Sequence, residues 1–259
     1  MGLGRNGWLI LLAALIIVSA VHTGFNPSVL AAGWPNLGII LSEMMALDMA
    51  QLSRAFLAII ETLEMALLGT AVGFLLALPL SLLAARNIAH PYIALPIRAC
   101  LILVRTIPSL LWALLFVVVM GLGAPAGIMA LAMYSLGFMG KMFYETFESQ
   151  NPEAYEALAV VGASRLQVVR FVTLPEAAPH ILNQLLFMFE YNVRASTILG
   201  FVGAGGIGFY ILNYLQLLEY GRAFTYLLVV LATVLAMDWL SMKIRAKYIP
   251  NLPATRIRG

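Results

Sequence analysis

A chain of 259 residues that is 62% hydrophobic and only 10% charged, with a mean hydropathy of +0.94, is not a soluble domain, in which charged residues reach about 25%. Its net charge of +3 calls for no nucleic-acid partner, because the basic residues follow membrane topology as set out below. One cysteine excludes an intramolecular disulfide, and neither Cys100 nor the isolated His22, His90 and His180 belongs to a metal-spaced cluster, so zinc and redox chemistry have no support.

Apolar runs of about 20 residues predict membrane spans near 8–24, 62–84, 99–121, 125–145, 180–203 and 222–241. The expected fold is therefore all-α, a bundle of about six transmembrane helices forming one domain over residues 1–259. The first run is short, and Val18-Ser19-Ala20 also reads as a signal-peptidase site; Arg5 ahead of it favours an uncleaved anchor. Residues 26–54 form the main segment on the far side, with WPNLGIILSEMMALDMA periodic enough for a surface helix. That helix is either a plain interfacial element or a contact for an external partner.

In the second span Gly69 and Gly73 make a GxxxG face that Ala77 continues, which predicts close helix packing, more commonly within one chain than between copies. Cys100 is expected to be a buried apolar filler. Arg105 and Pro108 open the third span. The proline frees the carbonyl four residues back, for Thr106 or Ser109 to compensate, and predicts a kink. Arg105 at a span end is expected to snorkel towards lipid headgroups.

Residues 151–175 are a polar insert between apolar blocks. Asn151 is a good N-cap, Pro152 suits the first helical position, and Glu153 and Glu156 complement the helix dipole. Gly162 breaks this helix, and Ser164 with Gln167 forms a capping box for a second one that Pro175 is expected to end. The insert is thus two short helices meeting at a glycine elbow.

The fifth span carries Asn183, Glu190, Arg194 and Thr197, separated by 7, 4 and 3 residues and so on one helix face. Glu190 and Arg194 can pair with each other. The stripe then either fixes two helices or lines a path on which Arg194 attracts an anion, because charges exposed to lipid are costly. Past it, Gly203, Gly205 and Gly208 match GxGxxG, but the run follows a membrane span and not a strand, which excludes a dinucleotide site. With Gly206 these glycines predict a tight re-entrant turn at the outer mouth, acting as a structural turn or as a gate.

Six spans put both ends of the chain on one side. Twelve of the 15 basic residues fall on that side, including Arg5, Arg86, Arg98, Arg165, Lys243 and Arg245, whereas Arg54 and Arg222 lie opposite and Arg194 lies within a span. The positive-inside rule makes the rich side, and the insert, cytoplasmic. The tail KIRAKY reads as an ordinary cytoplasmic anchor.

Glu156-Ala157, Gly162-Ala163 and Leu174-Pro175 at these spacings resemble the EAA loop of ABC importer permeases. The runs ETLEMALLGT, VRTIPSLLWALLF and FEYNVRASTILGFVGAGGIGF are similar to the phosphonate branch of that family, which includes phosphite and hypophosphite permeases. The resemblance implies a type I importer fold in a bacterial inner membrane and a homodimer with two ATP-binding subunits and an external binding protein. The resemblance also implies that ATP and Mg bind in the partner, with no cofactor on this chain and no enzymatic activity of its own. It further implies ATPase coupling through Glu156, Ala157, Gly162, Ala163, Leu174 and Pro175. The implied translocation path carries Asn183, Glu190, Asn192, Arg194 and Thr197 with Arg105 and Ser109, Arg105 ranking below Arg194 as a substrate contact. Gly203, Gly205, Gly206 and Gly208 would form an outer gate loop, unless they serve as a purely structural turn. A methionine-type permease, a secondary transporter and an intramembrane enzyme are the alternatives. The last lacks any paired aspartates or HExxH to work with, and the secondary transporter would need its own coupling-ion site.

Overall fold

The computed structural model describes residues 7–160 and 162–248, without the side chains of Leu30, Pro152, Glu156, Ala157 and Ala159. The described residues are helical, with no strand, and fall into two units, 1–47 and 48–259.

In the first unit, α1 (Gly7–His22) and α2 (Pro27–Met44) are bent by 52° at the break between them. Asn26 caps α2, its side chain accepting from Ser28 N, and Pro27 fills the first turn, where a missing N–H costs nothing. The helix expected beyond the first span is present as α2, but α1 passes as a membrane crossing by length and composition only together with α2, which lies outside the span expected at 8–24.

The second unit comprises α3 (Leu52–Ala84), α4 (Pro91–Thr106), α5 (Ser109–Met120), α6 (Ala124–Glu148), α7 (Pro152–Val160), α8 (Arg165–Val168), α9 (Leu174–Leu199), α10 (Ile207–Gln216) and α11 (Tyr220–Tyr248). Its spine is α3 against α6. A Cβ on Gly69 would lie 2.5 Å from the Leu131 side chain, and one on Gly73 would lie 2.5 Å from that of Ser135. The small face thus serves packing within the chain, where the absence of side chains lets two backbones approach. Met139, Phe143, Phe147, Leu101 and Met188 fill the core between α3, α4, α6 and α9. Large apolar side chains stand exposed around it, as on Leu67, Leu75, Leu103, Val118, Leu231 and Leu235. That pattern suits a hydrocarbon solvent.

Three expectations need correction. The third span is not one kinked helix: α4 and α5 meet at 88°. Ile107 is forced out of the helical region by the following proline, at φ −82° and ψ 119°. The carbonyl freed by Pro108 belongs to Val104, and it accepts from the Trp112 indole at 3.3 Å, not from Thr106 or Ser109; Thr106 donates to Leu103 instead. Second, Cys100 is exposed, because Ala94 and Leu101 take the buried face of α4.

Third, Pro175 does not end the second helix of the insert. The chain stays helical from Arg165 to Val202 through a π-helical turn at Val169–Thr173, closed by Leu174 N–H to the Val169 carbonyl. A proline in a regular helix collides with the carbonyl four residues back. The wider turn immediately before Pro175 relieves that collision, so a residue that reads as a stop becomes the second residue of α9.

Candidate functional site

Three regions hold the residues with chemical potential: the insert, the turn after α9, and the polar side chains halfway along α9.

In the insert, Asn151 Oδ1 accepts from Glu153 N at 3.1 Å, which starts α7. Gly162 has φ +76°, and Ala163 N–H returns to the Leu158 carbonyl at 3.1 Å, so the expected elbow forms. Ser164 and Gln167 make the capping box in both directions. Glu156 and Ala157 lie on α7, and their side chains fall outside the described ones. Among the described residues a Cβ on Gly162 would meet nothing within 4 Å, so this elbow faces open space there. Leu174 packs instead into the core around Phe143 and Phe147.

The insert is fastened to the bundle. Tyr155 Oη donates to Gln150 Oε1 at 2.5 Å and lies 2.9 Å from Thr173 Oγ1, and Gln150 Nε2 donates to the Thr173 carbonyl at 2.8 Å. The clasp ends on the π-helical turn. Burial raises the Tyr155 phenol above its ordinary pKa, with the Thr173 hydrogen bond opposing, so the group stays neutral and keeps its proton to donate. Arg165 donates to the Ile88 carbonyl at 3.3 Å, and the loop before α4 is tied to the end of α6 through Glu148, which accepts from Arg86 N and pairs with Arg98. Tyr155→Phe is expected to cost about 1 kcal/mol, the net worth of one hydrogen bond. Faster limited proteolysis within residues 151–173 at an unchanged span-melting temperature is the measurement.

After α9 the chain reverses through a 3-10 turn at Gly200–Val202 and the run GAGG into α10. Gly206 has φ +75° and donates to Glu61 Oε1 at 3.3 Å; Ile207 N–H donates to Thr62 Oγ1 at 2.8 Å. At Gly208 any Cβ would overlap the Thr197 carbonyl. The expected tight turn is therefore present and pinned to α3, beside a cleft of about 230 Å³ lined by Glu61, Leu122, Phe209 and Tyr210.

The polar stripe of α9 is divided. Glu190 pairs with Arg245 of α11 at 2.6 Å, and Arg194 pairs with Asp238 of α11 at 3.1 Å. The expected Glu190–Arg194 pair does not form, because each residue has an opposite charge on the adjacent helix. Glu190 is 8% exposed, whereas Arg194 and Asp238 are 44% and 42% exposed. Arg245 is thus no simple tail anchor. Asp238 was missed, although an acid inside an apolar run is a signal in its own right. Asn192 faces elsewhere: fully buried, it donates 2.8 Å bonds to Thr70 of α3 and Ser135 of α6, which fixes three helices. Thr197 turns back to the Val193 carbonyl, and Asn183 is half-buried two turns nearer the insert.

Arg105 also departs from expectation. It closes α4, and its backbone lies against Gly137, halfway along α6: a Cβ there would be 2.7 Å from Arg105 N. Its guanidinium sits over the Phe138 ring at 5.2 Å. Ser109, past the bend, is half-buried.

Comparison with known proteins gives a consistent picture. A family model described as the binding-protein-dependent transport system inner membrane component matches residues 77–247. The chain is 32% identical over 252 residues to the phosphite transport system permease protein PtxC of Stutzerimonas stutzeri, covering 95% of this chain and 92% of that one. It is 35% identical over 230 residues to the phosphate-import permease protein PhnE of Mycolicibacterium smegmatis, covering 88% of this chain and 43% of that longer one. Among solved structures, an inward-facing MetNI methionine ABC transporter is similar with a TM-score of 0.69 over 78% of this chain and 99% of that one; at 24% identity the likeness is one of fold.

Proposed function

We propose a substrate class and an assembly for this chain, which belongs to the family of binding-protein-dependent transport system inner membrane components. It is a multi-pass inner-membrane permease subunit of an ABC importer. In our reading the cargo is phosphonate or a related phosphorus oxyanion, phosphite or hypophosphite. The observation that carries this is the nearly end-to-end similarity to a phosphite permease, at 32% identity over 95% of the chain. A methionine cargo has weaker support, since the methionine transporter is alike at the level of fold.

Two copies of the chain would enclose the path, with two ATP-binding subunits on the cytoplasmic side and a binding protein delivering cargo outside. ATP and Mg belong to the partner subunits, and this chain holds no cofactor. Both termini are cytoplasmic in this reading, by the basic-residue count. Glu156, Ala157, Gly162 and Ala163 would dock the ATPase. The open space at Gly162 supports this, and the Tyr155 clasp would carry the motion to α9. Gly203, Gly205, Gly206 and Gly208 would shape the outer gate.

The test is uptake of labelled phosphite by cells expressing the chain with its ATPase and binding protein, with aminoethylphosphonate and methionine as competitors. Competition by aminoethylphosphonate alone is the expected result. Competition by methionine, or uptake of neither phosphite nor labelled aminoethylphosphonate, overturns the substrate class.

A further inference from the structure

We propose that Arg105, and not Arg194, is the oxyanion-binding residue of the translocation path, and that the hydroxyls of Tyr134 and Tyr191, whose rings belong to the same aromatic cluster, complete the site. The inference rests on the importer reading above and specifies where within the bundle the cargo is held.

The two arginines differ in their partners. Arg194 is neutralised by Asp238 at 3.1 Å, so an anion arriving there must compete with a carboxylate already in place. Among the described residues Arg105 has no carboxylate within ion-pair distance; its recorded partner is the face of Phe138, 5.2 Å from the guanidinium carbon. A cation lying on an aromatic face keeps its edge N–H groups available. Five such donors in a planar fork match the oxygens of a phosphorus oxyanion.

The surroundings extend that match. Phe138 stacks on Tyr134 at 6.4 Å and on Phe187 at 5.6 Å, and Tyr134 stacks on Tyr191 at 5.0 Å. The cluster brings together α4, α6 and α9. Its depth follows from Gly137 against the Arg105 backbone, halfway along α6. Phe187 is exposed, and Arg105, Tyr134, Phe138 and Tyr191 are half-exposed within this chain. A positive charge and two phenols at that depth cannot face hydrocarbon without a large cost. They must face water or a second copy of the chain, and both conditions hold along a path between two permeases. The aromatic wall keeps the local dielectric low, which strengthens attraction for an anion. With no resident carboxylate to displace, the anion is released again once water enters from the cytoplasmic side.

The experiment uses the complete complex in nanodiscs and proteoliposomes. Equilibrium binding of labelled phosphite is measured without the binding protein, and uptake is measured with it. Wild type is expected to bind phosphite saturably. Arg105→Gln should weaken binding and maximal uptake by about tenfold or more, the loss of a charge-assisted bidentate contact. Arg105→Lys should recover part of it, keeping the charge but not the fork. Tyr191→Phe should lose several-fold, and affinity of the binding protein for phosphite should not change in any variant. If Arg105→Gln disrupts assembly, the Lys and Phe variants decide. Wild-type binding and uptake in all assembled Arg105 and Tyr191 variants overturn the proposal, as does loss of phosphite binding in Arg194→Gln alone. Sulfate carried in place of phosphite by wild type and lost in Arg105→Gln keeps the site and rejects the phosphorus reading. Methionine carried equally by wild type and Arg105→Gln rejects both.

Discussion

Gly162→Val is expected to lower ATP-driven uptake by about tenfold or more, because it drives the elbow out of the backbone conformation that presents α7 for coupling. The backbone there has φ +76°, and a left-handed conformation costs an L-residue about 1–2 kcal/mol, with a β-branched side chain at the upper end. The variant escapes by leaving that conformation, which swings α7 relative to α8. Among the described residues a Cβ at this position has no neighbour within 4 Å, so the substitution breaks no packing contact directly. The Ser164–Gln167 capping box and the Tyr155 clasp remain on either side of the altered elbow. Membrane insertion and the melting temperature of the spans are therefore expected to match wild type. Co-purification of the ATPase, or coupling of its hydrolysis to uptake, is expected to fail. Gly162→Asn, which tolerates the left-handed region, should retain most of the uptake. Undiminished uptake in the valine variant, at equal membrane abundance, excludes a coupling role for the elbow.

The chain's pattern made some of this legible and hid the rest for definite reasons. The elbow could be read because its signals are local: Asn151, Gly162, Ser164 and Gln167 each act within four residues. The GxxxG face of α3 was readable as a close contact, though only the fold identifies Leu131 and Ser135 of α6 as its other side. Pro175 misled because a proline's effect depends on the turn before it, and a π-helical turn leaves no mark in composition. Arg105 misled through depth. Taken as the start of a kinked but continuous third span it sits at the membrane surface, whereas an 88° bend between α4 and α5 leaves it at the middle of α6. The same kind of error governed the charges of α9. A helix wheel shows Glu190 and Arg194 as neighbours, but it cannot show that α11 presents Arg245 and Asp238 to them.

Glu190→Ala is expected to destabilise the bundle by about 3–5 kcal/mol, the range for removing one partner of a buried ion pair. Glu190 is nearly inaccessible and accepts at 2.6 Å from Arg245, whose Nε is buried without a partner of its own. Without the carboxylate, a guanidinium whose Nε already lacks a partner loses its remaining anchor. The effect is therefore the orphaned charge, more than the lost attraction. Two further variants separate these contributions. Glu190→Ala with Arg245→Met replaces both charges by apolar groups and should regain much of the loss, since a buried pair and a packed apolar substitute are often close in stability. Asp238→Asn, in the pair that is 44% and 42% exposed, should cost about 1 kcal/mol or less. Thermal melts of the detergent-solubilised complex give all three values. A Glu190→Ala melt within the error of wild type would mean that water reaches Arg245, and the Glu190–Arg245 pair would then belong to the aqueous path, not to the helix contact that positions α11 against α9.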